Sequence, residues 1–149
     1  DTSKATSLAS MFYGCSKLTT LDLSHFKVDG VTDMNNMFNG CGSLISLNTS
    51  NWNTSMVSNM GNMFNNCNKL VSLNLSHFNV ENVTSTNAMF NACSQLTTLN
   101  ISNWNTSKLT NTSMMFRGCS KLTTLDYTVQ MGNPSFFTDD MRLILNKYK

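Results

Sequence analysis

A Met-Phe pair followed three residues later by Cys recurs five times at a fixed interval of 26 residues. The copies are Met11-Phe12 with Cys15, Met37-Phe38 with Cys41, Met63-Phe64 with Cys67, Met89-Phe90 with Cys93, and Met115-Phe116 with Cys119. A period of this length commits the chain to stacked structural repeats. One repeat cannot bury its apolar face alone, so its neighbours supply the core. Most of the chain is therefore scaffold, and function has to be sought between the recurring columns.

The unit from Leu18 to Ser43 reads Leu18-x-x-Leu21-x-Leu23, then Phe26, Val28, Val31, Met34, Met37-Phe38 and Cys41. The alternation around Leu21 and Leu23 predicts a short strand with Asp22 outward. Val31, Met34, Phe38 and Cys41 fall on one face of a helix, and Thr32, with Ser58, Thr84 and Thr110 in the same column, reads as its N-cap. The expected fold class is an α/β solenoid of about five rungs, each a short parallel strand plus a short helix. Its strands would stack roughly 4.8 Å apart.

One repeat domain is expected over 1–149. It comprises a partial rung at 1–17, four complete rungs at 18–121, and an incomplete rung plus a capping helix at 122–149. The capping helix is expected to start at Thr138, with Asp139 and Asp140 in its first turn and a stripe of Met141, Ile144, Leu145 and Tyr148. The other end presents an uncapped face that could stack end to end on another chain. A second period of 52 residues overlies the first: Phe26, Trp52, Phe78 and Trp104 alternate, as do His25, Asn51, His77 and Asn103. Large Trp beside smaller Phe lets adjacent rungs interdigitate.

Composition narrows the function. Only 12% of the residues are charged and the formal net charge is +2. That is too weak a field to argue for nucleic acid or an anionic membrane. No apolar run approaches the roughly 20 residues of a membrane span, so no membrane insertion is expected. The opening Asp1-Thr2-Ser3-Lys4 carries no signal peptide and reads as an internal cut from a longer protein.

The groups that could carry chemistry resolve to structure. The five cysteines are uniformly spaced, without a Cys-x-x-Cys pair, and read as reduced, buried core residues and not zinc ligands. The in-register methionines read as core filler, with Met114 outside register and exposed. His25 and His77 lie two rungs apart, too far to share a metal. Asp22 and Asp126 share a column at about 20 Å, too wide for a glycosidase pair. No catalytic residue, metal or cofactor is expected. Two outward columns remain as ligand-binding candidates: Thr20, Ser46, Ser72, Thr98 and Thr124, and beside them Asp22, Asn48, Asn74, Asn100 and Asp126. These could hydrogen-bond each other along the stack, present a neutral surface to a protein or glycan, or both. Rows of this regularity also raise ice or crystal binding, which the Asn/Asp column disfavours.

The run from Asn100 through Trp104 to Asn111, followed by Met115-Phe116-x-x-Cys119-x-x-Leu122, resembles the BspA-like repeat of bacterial surface proteins, a 26-residue relative of leucine-rich repeats. The resemblance spans about residues 5 to 126. Phe26 or Trp52 stands where the leucine-rich repeat carries Asn. It implies a leucine-rich-repeat-like stack, secreted or held at the bacterial cell surface. Its implied role is non-enzymatic adhesion or macromolecular recognition, with a host or neighbouring-cell protein or glycan as partner. A structural spacer within a larger surface protein is the alternative.

Overall fold

Two positions in every rung hold the backbone in the left-handed region, and they decide the architecture. The first is Ser10, Asn36, Asn62, Ala88 and Met114, with φ between 51° and 60°. The second is Gly14, Gly40, Asn66, Ala92 and Gly118, with φ between 60° and 80°. A right-handed helix cannot run through such residues. The helix expected in each rung is therefore absent.

The structure, a computed structural model, describes residues 1–127. Within them there is no helix, only five short strands: β1 (Thr20–Asp22), β2 (Ser46–Asn48), β3 (Ser72–Asn74), β4 (Thr98–Ile101) and β5 (Thr124–Tyr127). The fold is a parallel-strand solenoid, which corrects the α/β reading. The capping helix expected over 138–149 lies outside the described residues.

In place of the helix each rung runs through a chain of three-residue turns. Val31 N–H donates to Val28 O, Met37 to Met34, Cys41 to Phe38 and Leu44 to Cys41. Core residues sit at both ends of each turn, so burial recurs every three or four residues, as it does along a helix. The intervening N–H groups reach the next rung: Met34 to Asn59 O, Asn36 to Gly61 O, Phe38 to Met63 O and Gly40 to Asn65 O. Thr32, Ser58, Thr84 and Thr110 are not N-caps. Each hydroxyl donates to the carbonyl of the preceding member of the column, Thr6 for the first, at 3.2–3.3 Å.

Stacking brings identical columns into register. Phe12, Phe38, Phe64, Phe90 and Phe116 form a ladder with ring centroids 5.4–5.8 Å apart and interplanar angles of 2–13°. That spacing is favourable for stacked rings. The cysteine column runs beside it. Phe38 O accepts the Cys41 N–H at 3.0 Å and the Cys67 S–H at 3.2 Å, and the thiols of Cys41, Cys93 and Cys119 make the same bond to Phe12, Phe64 and Phe90. These sulfurs therefore satisfy carbonyls as well as filling space. Parallel bridges link Ser7, Asp33, Asn59, Ser85 and Asn111 without a break.

The strand column is interrupted. β1 pairs with β2, and β3 with β4 and β5, but β2 and β3 do not pair.

Candidate functional site

All ten candidate residues lie on the strand face. Thr20, Asp22, Ser46, Asn48, Ser72, Asn74, Thr124 and Asp126 are exposed, and Thr98 and Asn100 are half-buried. Register aligns Thr20 with Ser46 and Asp22 with Asn48. It also aligns Ser72, Thr98 and Thr124, and Asn74, Asn100 and Asp126. Ser46 is not brought into register with Ser72, nor Asn48 with Asn74, so the face consists of two blocks.

The Asx column does not form a side-chain ladder. Oδ1 of Asp22, Asn48, Asn74 and Asn100 instead accepts the backbone N–H two residues on, from Ser24, Ser50, Ser76 and Ser102, each at 3.0 Å. These Asx turns end each strand. At Asp22 the Ser24 hydroxyl and N–H hold the carboxylate's pKa below its ordinary value, assisted by His25 against a small opposing effect of burial. The carbonyl oxygens of the three asparagines are thus committed to the fold, whereas Thr20, Ser46 and Ser72 keep their hydroxyls at the surface.

Between the two blocks lies a cleft of about 560 Å³. Ser46, Asn48, Thr49 and Ser50 line one wall, and Ser72, Asn74, Ser76 and His77 the other. No Asp, Glu, Lys or Arg lines it. Its volume is within the roughly 300–1,000 Å³ of common ligand sites. His77 joins the two walls: Nε2 lies 2.8 Å from Thr49 O and 3.2 Å from Thr49 Oγ1. The carbonyl can only accept, so Nε2 carries the proton. The ring also sits edge-on to Phe78, as His25 does to Phe26.

Thr49 and His77 were not among the candidates. Their signal is visible in the columns: Thr49 is polar and buried where the equivalent positions are Leu23, Leu75 and Ile101. Among the described residues no group of three His, Cys, Asp or Glu is arranged to hold a metal ion. No helix among them is long and apolar enough to cross a membrane.

These features define a class: a repeat solenoid with one short parallel strand per 26-residue rung and a hydroxyl- and amide-rich strand face with a carboxylate at either end. The chain belongs to the family described as "Mycoplasma protein of unknown function, DUF285", which matches residues 1–96 and 45–133. The BspA-like group is not the family this match names. The chain is also similar to a solved structure titled "Crystal structure of T. pallidum Leucine Rich Repeat protein (TpLRR)", with 16% identity and a TM-score of 0.46 over 93% of this chain and 74% of that one. No curated protein sequence matches the chain.

Proposed function

We propose that this domain is a non-enzymatic recognition module of a bacterial cell surface, and that it binds a host or neighbouring-cell macromolecule through the strand face. One observation supports this above the others: the hydroxyls of Thr20, Ser46 and Ser72 stand exposed in one column, while the Asx oxygens beside them are taken by turns. An extended polar surface of this kind, uncharged over its central rungs and carrying Asp22 and Asp126 at its ends, suits a protein or glycan contact spread over several rungs. The extracellular setting rests on the resemblance to bacterial surface repeats. End-to-end stacking through the N-terminal rung belongs to the same reading.

The spacer alternative draws on a different feature, the unbroken bridge ladder from Ser7 to Asn111, which makes the array a continuous rod whatever its face does.

Substitution at the serine column separates the two. Ser46→Tyr with Ser72→Tyr blocks the face without touching the Asx turns. The wild-type domain is expected to bind on a glycan array or a panel of extracellular-matrix proteins, and the variant to bind at least tenfold more weakly with an unchanged Tm. Retained binding by the variant removes the strand face as the site, and no binding by the wild type leaves the spacer reading.

A further inference from the structure

The gap between β2 and β3 is local. The bridge ladder crosses this junction from Asn59 to Ser85, and Phe64 stacks on Phe90 at 5.8 Å, against 5.4–5.6 Å along the rest of the ladder. Trp52 stacks on Phe78 at 6.1 Å. The rungs are therefore in contact, and only the strand edges have parted.

The missing bonds can be named from the junctions that keep them. At β1–β2, Ser46 N–H donates to Thr19 O and Leu23 N–H to Asn48 O. At β3–β4, Thr98 N–H donates to Val71 O and Leu75 N–H to Asn100 O. The equivalent partners at the middle junction are the Val71 and Ser72 N–H groups with Ile45 O, and Thr49 N–H with Asn74 O, and none of these bonds is made. Main-chain donors and acceptors on both strands therefore border one neutral cleft. Such groups are strong, obligatory hydrogen-bonding partners.

We infer that this cleft is a docking slot for an extended, uncharged peptide segment of about four residues, an inference that rests on the strand-face reading above. The spacing fits a peptide: on the β2 side the unpaired groups run from Ile45 to Thr49, four residues and about 13 Å at 3.3 Å per residue, and on the β3 side from Val71 to Asn74, three residues and about 10 Å. A polypeptide offers N–H and C=O groups in the same repeat, the chemistry of strand addition to an open sheet edge. Polarity fits as well, since His77 is the one titratable side chain in the lining and is engaged with Thr49. Ile45 and Val71, 53% and 47% exposed, occupy one column on adjacent rungs beside the slot and offer apolar contact to side chains of the segment.

The test uses the full chain against a synthetic array of uncharged hexapeptides, a matched array N-methylated at alternate amides, and a glycan array. Hexapeptide binding is expected, at least tenfold weaker after N-methylation. Thr49→Leu with His77→Asn and Phe78→Trp gives the middle junction the residues of the first one. This variant is expected to pair β2 with β3 and to lose hexapeptide binding at least tenfold without a fall in Tm. Hydrogen exchange on the unmodified chain reads the same slot independently of that variant's folding. The Ser72 and Thr49 amides are expected to exchange faster than those of Ser46 and Leu75, and to slow at least tenfold with saturating hexapeptide. Absence of hexapeptide binding, indifference to N-methylation, or unchanged Ser72 and Thr49 exchange overturns the slot. Glycan binding abolished by Ser46→Tyr with Ser72→Tyr, in the absence of hexapeptide binding, overturns the slot while sparing the strand-face reading.

Discussion

His77 Nε2–H donates to the carbonyl oxygen of Thr49 at 2.8 Å. At the flanking junctions the equivalent carbonyls, Leu23 and Leu75, take the indole N–H of Trp52 and Trp104, both at 2.9 Å. Phe78 occupies the tryptophan position at the middle junction and has no donor. The pairs Asn51-Trp52 and His77-Phe78 are therefore two solutions to one problem, a carbonyl at the strand end that needs a partner. This accounts for the 52-residue period in physical terms.

The exchange of donors is testable in the first junction. Trp52→Phe leaves Leu23 O without its partner, a loss of about 1–3 kcal/mol, and also removes buried indole volume. Adding Asn51→His to Trp52→Phe supplies an imidazole N–H in the geometry of His77. The double variant is expected to regain about 1 kcal/mol over Trp52→Phe alone. Urea unfolding of the three proteins measures it, and a double variant no more stable than the single one refutes the equivalence.

Much of this organisation is legible in the sequence, for reasons that differ by element. The strand column is plain because Leu21 and Leu23 alternate with Asp22, and alternation of this kind belongs to half-buried strands. The helix fails because a chain of three-residue turns buries Val31, Met34, Phe38 and Cys41 with the same spacing. The contrary signal was present in Asn36, Asn62, Gly14, Gly40 and Gly118, residue types that tolerate left-handed φ, but Ala88 and Met114 disguise that column. The outward candidates are where the alternation puts them. The commitment of each Asx oxygen to a turn, and the parting of β2 from β3 at Thr49 and His77, are properties of neighbouring rungs and appear in no single repeat.

Buried thiols make the stack sensitive to alkali. Burial is the first cause, and a neighbouring thiol the second, that pushes Cys41 up to about 11 and Cys67 up to about 12 from an ordinary 9.0, with Cys93 also raised. The fold thus favours the neutral thiol. Its contribution is complete below pH 9.0, where the unfolded chain is also protonated, and is lost as pH rises towards the folded values. Each thiol costs about 1.4 kcal/mol per pH unit inside that window. The Tm is expected to vary little from this source between about pH 7 and 8 and to fall steeply above about pH 9. Cys41→Ala, Cys67→Ala and Cys93→Ala combined should start from a lower Tm but show a shallower alkaline slope. An equal slope in both proteins would remove the thiols as the cause.

The second left-handed column offers substitutions of opposite sign. Ala92 holds φ at 60°, and a left-handed non-Gly residue is strained by about 1–2 kcal/mol. Ala92→Gly relieves that strain but adds about 0.4–1 kcal/mol of unfolded-state entropy. Relief is the larger effect, so stability is expected to rise by about 0.5–1 kcal/mol. Gly118 is the converse case. Its φ is +78°, and an added Cβ would meet the Ala92 Cα at 3.2 Å and N at 3.3 Å, both backbone atoms with little room to yield. Gly118→Ala is expected to cost about 2 kcal/mol from strain and crowding together. The two side chains do not clash, because the added methyl of Gly118→Ala would lie 3.9 Å from the Ala92 Cβ, an ordinary van der Waals distance. Combining Gly118→Ala with Ala92→Gly removes that methyl contact and leaves the closer backbone contact. The double variant should therefore recover the Ala92→Gly gain while remaining less stable than wild type. Chemical denaturation of the two single variants and the double one checks the signs, and a stabilising Gly118→Ala would contradict the left-handed assignment of this column.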